Sequence, residues 1–167
     1  MRQTKSMKNA LPAIVSEVES HVSVAGWDQP VRLFALVSTD ELLAANPHLE
    51  LSGDLPLTSV EQELDDPNLP LDDMLATIEW PIDVAGAIVV IERIIVPPEV
   101  ELPEDDSVLE FIAAHPDKHE VRMVSAVLRT GESMNALRLK SHDDAQSVAV
   151  AADLVPQLNE ALLATFA

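Results

Sequence analysis

The sequence of 167 residues has no cysteine, no tyrosine and only four glycines. Without cysteine, the chain cannot form a disulfide bond, a thiolate nucleophile or a cysteine-bound metal centre. The four glycines are too few and too widely spaced for a dinucleotide-binding fingerprint or a phosphate-binding loop. These absences exclude several classes of redox, metal-dependent and nucleotide-binding protein, and we expect no cofactor.

Basic residues are also scarce, since 10 Lys and Arg stand against 29 Asp and Glu and give a formal charge of -19. Affinity for nucleic acids and for anionic membrane surfaces comes largely from cations, so both are unfavourable partners. The simplest interpretation of the charge is a well-solvated surface. A basic partner, or mimicry of a nucleic acid, is the alternative.

Long apolar runs are missing as well. The longest is interrupted by Glu92 and Arg93, and none approaches the roughly 20 residues of a membrane-spanning helix. Glu17 and Glu19 follow the N-terminal segment where the apolar core of a signal peptide would lie. We therefore expect a cytoplasmic protein with no membrane partner. A homodimer is a separate expectation.

Hydrophobic residues make up 47% of the chain, which is sufficient for one core. Apolar periodicity predicts strands at 31–37, 84–96, 121–129 and 134–140, and helices at 11–22, 39–46, 71–78, 108–115 and 153–166. Residues 1–8 are expected to be a disordered N-terminus, and the proline-dotted residues 47–70 a long surface loop. The predicted fold is α+β: a single domain over 1–167, with a mainly antiparallel sheet of about four strands and amphipathic helices packed on it.

The segment Val84 to Val96 is the strongest predicted strand because it is almost continuously apolar. A strand of this composition needs cover on both faces. We therefore expect it to be an interior strand of the sheet.

Most basic residues lie in the predicted strands, whereas most acidic residues lie in helices and loops. If Gly131 and Glu132 form a two-residue turn, the last two strands pair as a hairpin. This register places Arg129 opposite Met134, Ser125 opposite Arg138, and Met123 opposite Lys140. Arg129, Arg138 and Lys140 would then share one cationic sheet face, able to bind an acidic peptide or an anionic ligand. The alternative is a solvated face whose cations form ion pairs.

The segment Ser141-His142-Asp143-Asp144 contains the residue types of a hydrolytic triad. Adjacent residues do not normally form that relay, because a triad is assembled across the fold. His142 with Asp143 or Asp144 is therefore the weaker, catalytic alternative. A metal site on the same residues is chemically adequate, but the simpler interpretation is a turn with no metal.

Several segments carry a resemblance to known sequences: Gly26-Trp27-Asp28-Gln29-Pro30 with Arg32 to Val37, Trp80-Pro81 before Val84-Ala85-Gly86, and Leu137 to Asp144. With these segments, the chain resembles an uncharacterised family of actinobacterial proteins over nearly its whole length. The resemblance implies a cytoplasmic single-domain protein. It implies no reaction, cofactor or partner, and it assigns no catalytic residue.

The sequence thus favours a non-catalytic binding or regulatory protein that recognises an acidic peptide or an anionic ligand through Arg129, Arg138 and Lys140. One alternative is a small hydrolase-like enzyme that uses His142 with Asp143 or Asp144. Another, by analogy of fold and charge alone, is an acidic chaperone-like module.

Overall fold

The computed structural model describes residues 2–48, 55–66, 69–97 and 99–167. Its helices are α1 (Arg2–Ser23), α2 (Thr39–Ala45), α3 (Leu71–Ala76), α4 (Val108–Ala114) and α5 (Pro156–Ala164). Its strands are β1 (Arg32–Ser38), β2 (Leu57–Gln62), β3 (Val84–Ile95), β4 (His119–Leu128), β5 (Ser133–Leu139) and β6 (Ala149–Ala151). Short 3-10 turns at Lys140–His142 and Ala145–Ser147 connect β5 to β6.

The strands form one sheet in the order β2-β1-β3-β4-β5-β6, and each neighbouring pair is antiparallel. This arrangement confirms the predicted α+β domain with an antiparallel sheet. The described chain has six strands in this sheet rather than about four, because β2 and β6 were not predicted. Both are edge strands, and β6 has only three residues, all exposed.

Two expectations about irregular segments need correction. Residues 2–8, expected to be disordered, belong to α1, which contains Pro12 and extends nine residues further towards the N-terminus than predicted. The residues before Pro12 include neither glycine nor another proline, so nothing in them opposes a helix. Within the expected loop 47–70, residues 57–62 form β2, whereas 49–54 and 67–68 lie outside the described residues.

One face of the sheet, called the α1 face below, packs against helix α1. Helix α1 contributes an apolar stripe of five residues: Leu11, Ile14, Val15, Val18 and Val22. The strands contribute Phe34, Leu36, Ile88, Val90, Val124, Ala126, Leu128 and Ala136. The stripe recurs at intervals of three and four, which places all its members on one side of the helix.

The opposite face, called the α5 face, packs against α3 and α5. Its buried strand residues are Leu33, Ala87, Val89, Ile91 and Val127, and the helices add Met74, Leu75, Leu158 and Leu162. Because β3 contributes to both cores, it is an interior strand covered on both faces, as its apolar run predicts. Its last residues, 93–95, are exposed.

Gly86 on β3 lies directly against the backbone of β4. A Cβ atom at this position would collide with the backbone carbonyl oxygen of Val127. Glycine is therefore needed here to allow the two central strands to pair.

A small buried polar cluster fixes helix α5 to the sheet. The side chain of Asn135 on β5 and that of Asn159 on α5 hydrogen-bond each other, with distances of 2.6 and 3.1 Å. The Oδ1 atom of Asn135 also accepts bonds from the backbone N–H groups of Leu154 and Val155, at the start of α5. This cluster sets the position of the helix on the sheet.

Candidate functional site

The hairpin of β4 and β5 has a different register from the one predicted. Arg122 pairs with Arg138, Val124 with Ala136, and Val127 with Ser133. Residues 129–131 form a three-residue loop, closed by the N–H of Leu128 bonding the carbonyl of Glu132, with Gly131 at a φ of 108°. Such loops end with a residue in a left-handed conformation, which glycine supplies. The shift between the two registers is odd, so it exchanges the two faces of β5 relative to β4.

The predicted cationic face is consequently absent. Arg138 lies on the α1 face, paired across the sheet with Arg122. Arg129 lies on the α5 side, where its guanidinium stacks over the ring of Phe166 at 4.8 Å and donates to the carbonyls of Pro81 and Val84. Lys140 forms an ion pair with Glu120 at 3.1 Å. The three predicted binding residues therefore form no common surface.

Arg138 is part of a buried ionic network. Its guanidinium donates two hydrogen bonds to the carboxylate of Glu19, at 2.8 and 2.9 Å, and a third to Asp143 at 2.9 Å. Glu19 is 1% exposed and Arg138 is 5% exposed. The pKa of Arg138 is raised, first by its bonds to Glu19 and then by those to Asp143. This arginine is permanently charged, and each of its three guanidinium nitrogens donates to a carboxylate.

Arg122 extends the network towards the loop that follows α1. It is 0% exposed, donates to Ser23 Oγ at 2.9 Å and to the carbonyl of Gly26, and forms an ion pair with Glu92 at 3.2 Å. Its guanidinium also stacks over the ring of Trp27 at 4.4 Å. Arginine suits this position because it bonds within its plane while it stacks on an aromatic face.

The two segments most prominent in the resemblance, Gly26 to Pro30 and Leu137 to Asp144, meet in this network. Trp27 Nε1 donates to Asp143 at 3.1 Å, and the backbone N–H of Asp28 donates to Glu92 at 2.8 Å. Gln29 bonds the carbonyls of Val22 and Gly26 and thereby closes the end of α1. The network's hydrogen bonds thus hold α1, the loop after it and the hairpin together. The partners in this network all belong to the chain itself, so we interpret the network as structural. Its members are Glu19, Trp27, Glu92, Arg122, Arg138 and Asp143, and we call it the clamp.

Asp143 should make the stability of the clamp depend on pH. Hydrogen bonds from Trp27 and then from Arg138 lower the pKa of Asp143 below its ordinary value of 3.8. A carboxylate with a lowered pKa in the folded state adds stability above its unfolded pKa, and this stability is lost as the pH falls through the folded pKa. We expect the Asp143→Asn variant to lose less stability than the parent between about pH 5 and pH 3, measured by urea unfolding. Parallel profiles would contradict this role of Asp143.

The hydrolase candidates do not form a relay in the structure. His142 Nδ1 lies 3.1 Å from the hydroxyl of its neighbour Ser141. Asp143 bonds Trp27 and Arg138, and Asp144 accepts a bond from Ser147 at 3.0 Å. Both carboxylates therefore face groups other than the imidazole. Among the described residues, no set of three or more histidine and carboxylate side chains is placed to hold a metal ion.

A groove of about 590 Å³ lies on the α5 face, between helix α3 and the strands β1 and β2. Its apolar lining includes Leu33, Ala35, Val37, Val60, Met74, Ile78 and Trp80. Trp80 is fixed in place, since its ring stacks on Phe166 at 5.6 Å and its Nε1 donates to Thr165 Oγ1 at 2.8 Å. The groove is thus a formed concavity with a rigid aromatic wall.

The edge of this groove carries charge of one sign only. Its acidic lining residues are Glu63, Asp65, Asp66, Glu79 and Asp83, all exposed. No Lys, Arg or His occurs among the described residues that line it. We call this feature the acidic groove. An apolar floor with a carboxylate edge complements a ligand that is both apolar and cationic.

The acidic groove was not among the sites predicted from the sequence. Its carboxylates come from two separate segments, 63–66 and 79–83, and β2, which forms one wall, was expected to be loop. The available signal was a tryptophan, Trp80, between two acidic residues, Glu79 and Asp83. Large aromatic residues beside charges often mark contact surfaces.

Helix α1 is 22 residues long but polar along one side, and no helix of the described chain combines the length and apolar composition needed to cross a bilayer. No curated protein and no solved structure matches the sequence. A family model described as PPA1309-like protein matches residues 11–167. This match includes the clamp, the acidic groove and every strand of the sheet. The chain therefore belongs to the PPA1309-like protein family.

Proposed function

We propose that this protein is a non-catalytic binding protein whose acidic groove holds a basic, amphipathic segment of a partner protein. The observation that carries the proposal is the apolar groove, which is lined by five carboxylates and, among the described residues, by no base. Apolar side chains of the partner would cover the groove floor, where their burial supplies the main favourable term. Its lysines or arginines would meet the carboxylates at the edge.

The ligand's charge is thus opposite to the one expected from sequence. The expected acidic partner needs Arg129, Arg138 and Lys140 on one surface, whereas these residues lie apart and are engaged by internal partners. A formal charge of -19 steers a basic partner towards the surface. The available surface and the overall field therefore favour the same class of ligand.

The dimensions of the groove favour a peptide segment over a folded domain. A volume of about 590 Å³ is within the usual range of ligand pockets and accommodates a few side chains. The walls are also preorganised, because Trp80 bonds Thr165 and stacks on Phe166. Preorganisation lowers the entropic cost of binding, so a short segment is sufficient.

The proposal can be tested with a fluorescein-labelled peptide of alternating lysine and leucine, followed by fluorescence anisotropy. We expect saturable binding that weakens as salt is added, because exposed charge pairs are screened. A peptide of alternating glutamate and leucine is the matched control and should not bind. Equal binding of both peptides would contradict the role of the carboxylates.

Two double variants test whether peptide binding depends on the carboxylates of the groove or on the net charge of the molecule. The double variant Asp65→Lys with Glu79→Lys should weaken binding of the lysine–leucine peptide by about tenfold or more, since it replaces attraction with repulsion at the edge. Glu101→Lys with Glu110→Lys changes the net charge equally but lies outside the groove, and should have a much smaller effect. Equal losses in the two variants would indicate nonspecific attraction and refute the groove as the site.

The same experiment addresses the chaperone-like alternative. A chaperone-like module would hold many basic segments with little sequence preference, so scrambled lysine–leucine peptides would bind as tightly as the alternating one. A dedicated binding protein should discriminate between them, because its apolar side chains must match the floor around Val60, Met74 and Trp80.

A further inference from the structure

A second groove, of about 470 Å³, lies at the other end of the α5 face. It runs between α3 and α5, where β3 continues beyond its last pairing with β1 at Val90. Its apolar lining includes Leu71, Ile91, Met123, Val155, Leu158 and Ala161. Arg93 lines the same groove and is exposed. We call this feature the Arg93 groove.

Arg93 differs from the arginines that pair with carboxylates, and also from Arg129, whose guanidinium donates to two carbonyls of other segments and stacks on Phe166. Arg32, Arg122 and Arg138 each pair with a carboxylate at 3.2 Å or less. Arg93 forms none of the ion pairs found among the described residues, and its guanidinium donates only to the backbone carbonyl of its neighbour Glu92, at 3.2 Å. In a chain with 29 acids and 10 bases, Arg93 is thus an exposed guanidinium beside an apolar groove, with no carboxylate paired to it among the described residues.

The strand pattern accounts for this position. Val89 and Ile91 point to the α5 face and are buried there, and Arg93 follows at the same alternation. On the α5 face, β3 is thus apolar as far as Ile91 and carries a cation, Arg93, two residues later at the edge of the groove. A ligand lying along β3 would meet an apolar surface and then a single positive charge.

From this arrangement we infer that the Arg93 groove binds a carboxylate with an apolar chain, such as a free fatty acid. The chain would lie over Ile91, Met123 and Leu158. The carboxylate would accept two parallel hydrogen bonds from the Arg93 guanidinium, whose planar fork matches the two oxygens. The inference uses residues separate from the acidic carboxylates of the other groove, so it does not depend on the proposed function.

Asp72 adds a negative charge to the Arg93 groove. This residue lies in the first turn of α3 and lines the same groove, so its carboxylate opposes a bound anion. The opposition predicts a specific response: removal of the Asp72 charge should strengthen anion binding, whereas removal of the Arg93 charge should weaken it.

Isothermal titration with decanoate below its micellar concentration tests the inference, with decylammonium as the matched cation. We expect decanoate to bind the parent protein. The Arg93→Gln variant should bind it about tenfold more weakly, and the Asp72→Asn variant several-fold more tightly. Decylammonium should bind more weakly than decanoate to the parent and show the reverse order across the variants.

Lys8→Gln is the control, since Lys8 is exposed, lies outside the groove and carries the same charge. This variant should bind decanoate as the parent does. The three substituted residues are exposed, so the thermal melt of each variant should match that of the parent. A matching melt excludes misfolding as the cause of altered binding. Failure of decanoate to bind, or binding unchanged by Arg93→Gln, would overturn the inference. Failure of the lysine–leucine peptide to bind the acidic groove would not affect the inference about the Arg93 groove.

Discussion

The Val90→Asp variant should be unfolded at ambient temperature. Val90 lies in the centre of β3 and is 3% exposed, covered by helix α1. A carboxylate placed there loses its hydration, and Arg32, the paired residue on β1, is already bonded to Glu61. Burial of the new side chain therefore costs several kcal/mol even if it takes up a proton. Total stabilities of domains are only about 5–15 kcal/mol, so this single change removes much or all of the stability. Thermal unfolding followed by circular dichroism measures the effect.

Val24→Asp is the matched control because it makes the same chemical change at a residue that is 88% exposed. Its stability should stay within about half a kcal/mol of the parent. If the two variants melt at the same temperature, β3 is not a covered interior strand. The core described for the α1 face would then be wrong.

The segments predicted best were those whose environment is apolar on every side. Burial on both faces requires apolar residues at nearly every position, so β3 is recognisable from Val84 to Ile91 without knowledge of its neighbours. The amphipathic stripe of α1 is equally local, because residues three and four apart share one side of any helix. Local patterns of this kind therefore predict which elements exist and which faces they bury.

The register of the β4–β5 hairpin could not be predicted in the same way. A two-residue turn at Gly131-Glu132 and a three-residue loop over 129–131 both use Gly131, and both are common. They differ by an odd number of residues in the pairing, which reverses the face of every side chain on β5 relative to β4. One ambiguous turn therefore changed Arg138 from a predicted surface residue into a buried one.

The edge strands β2 and β6 were missed for a related reason. An edge strand lies beside one partner only, so it needs less apolar sequence than an interior strand. The β2 sequence Leu57–Gln62 combines buried Leu57 with exposed Val60 and Glu61, and β6 is exposed throughout. Because β2 forms one wall of the acidic groove, the groove could not be predicted without it.

One residue of the clamp, Glu19, is recognisable in the sequence. Glu19 lies four residues after Val15 and three before Val22, inside the buried stripe of α1. A carboxylate in such a stripe needs a buried cation, because an unpaired buried charge is costly. The identity of that cation depends on tertiary structure, since Arg138 lies 119 residues away in sequence.

The Glu19→Leu variant should be strongly destabilised. Glu19 is the shared partner of Arg138, through two hydrogen bonds, and of Arg122, at 3.8 Å. Its removal leaves a buried guanidinium without its main counterion, and breaking a buried pair from one side costs about 3–5 kcal/mol. Urea unfolding measures the loss, with the midpoint and the slope reported separately.

Glu61→Leu provides a comparison at the exposed Arg32–Glu61 pair, which has a similar hydrogen-bond distance of 2.7 Å. This pair is partly hydrated, so its loss should cost no more than about 1 kcal/mol. If Glu19→Leu costs no more than Glu61→Leu, the clamp is not buried in solution.

The double variant Glu19→Leu with Arg138→Met tests whether the cost comes from a stranded charge. Replacing both partners of a buried pair by apolar residues of similar volume is often close to neutral, because neither charge is left without its hydration or its counterion. Asp143 is half exposed and keeps its hydrogen bond from Trp27, so water can replace the hydrogen bond that Arg138 donated to it. We therefore expect the double variant to be more stable than either single variant, with a coupling of about 0.5–3 kcal/mol in the cycle. Additive losses would show that Glu19 and Arg138 act independently, and the interpretation of the network as a clamp would fail.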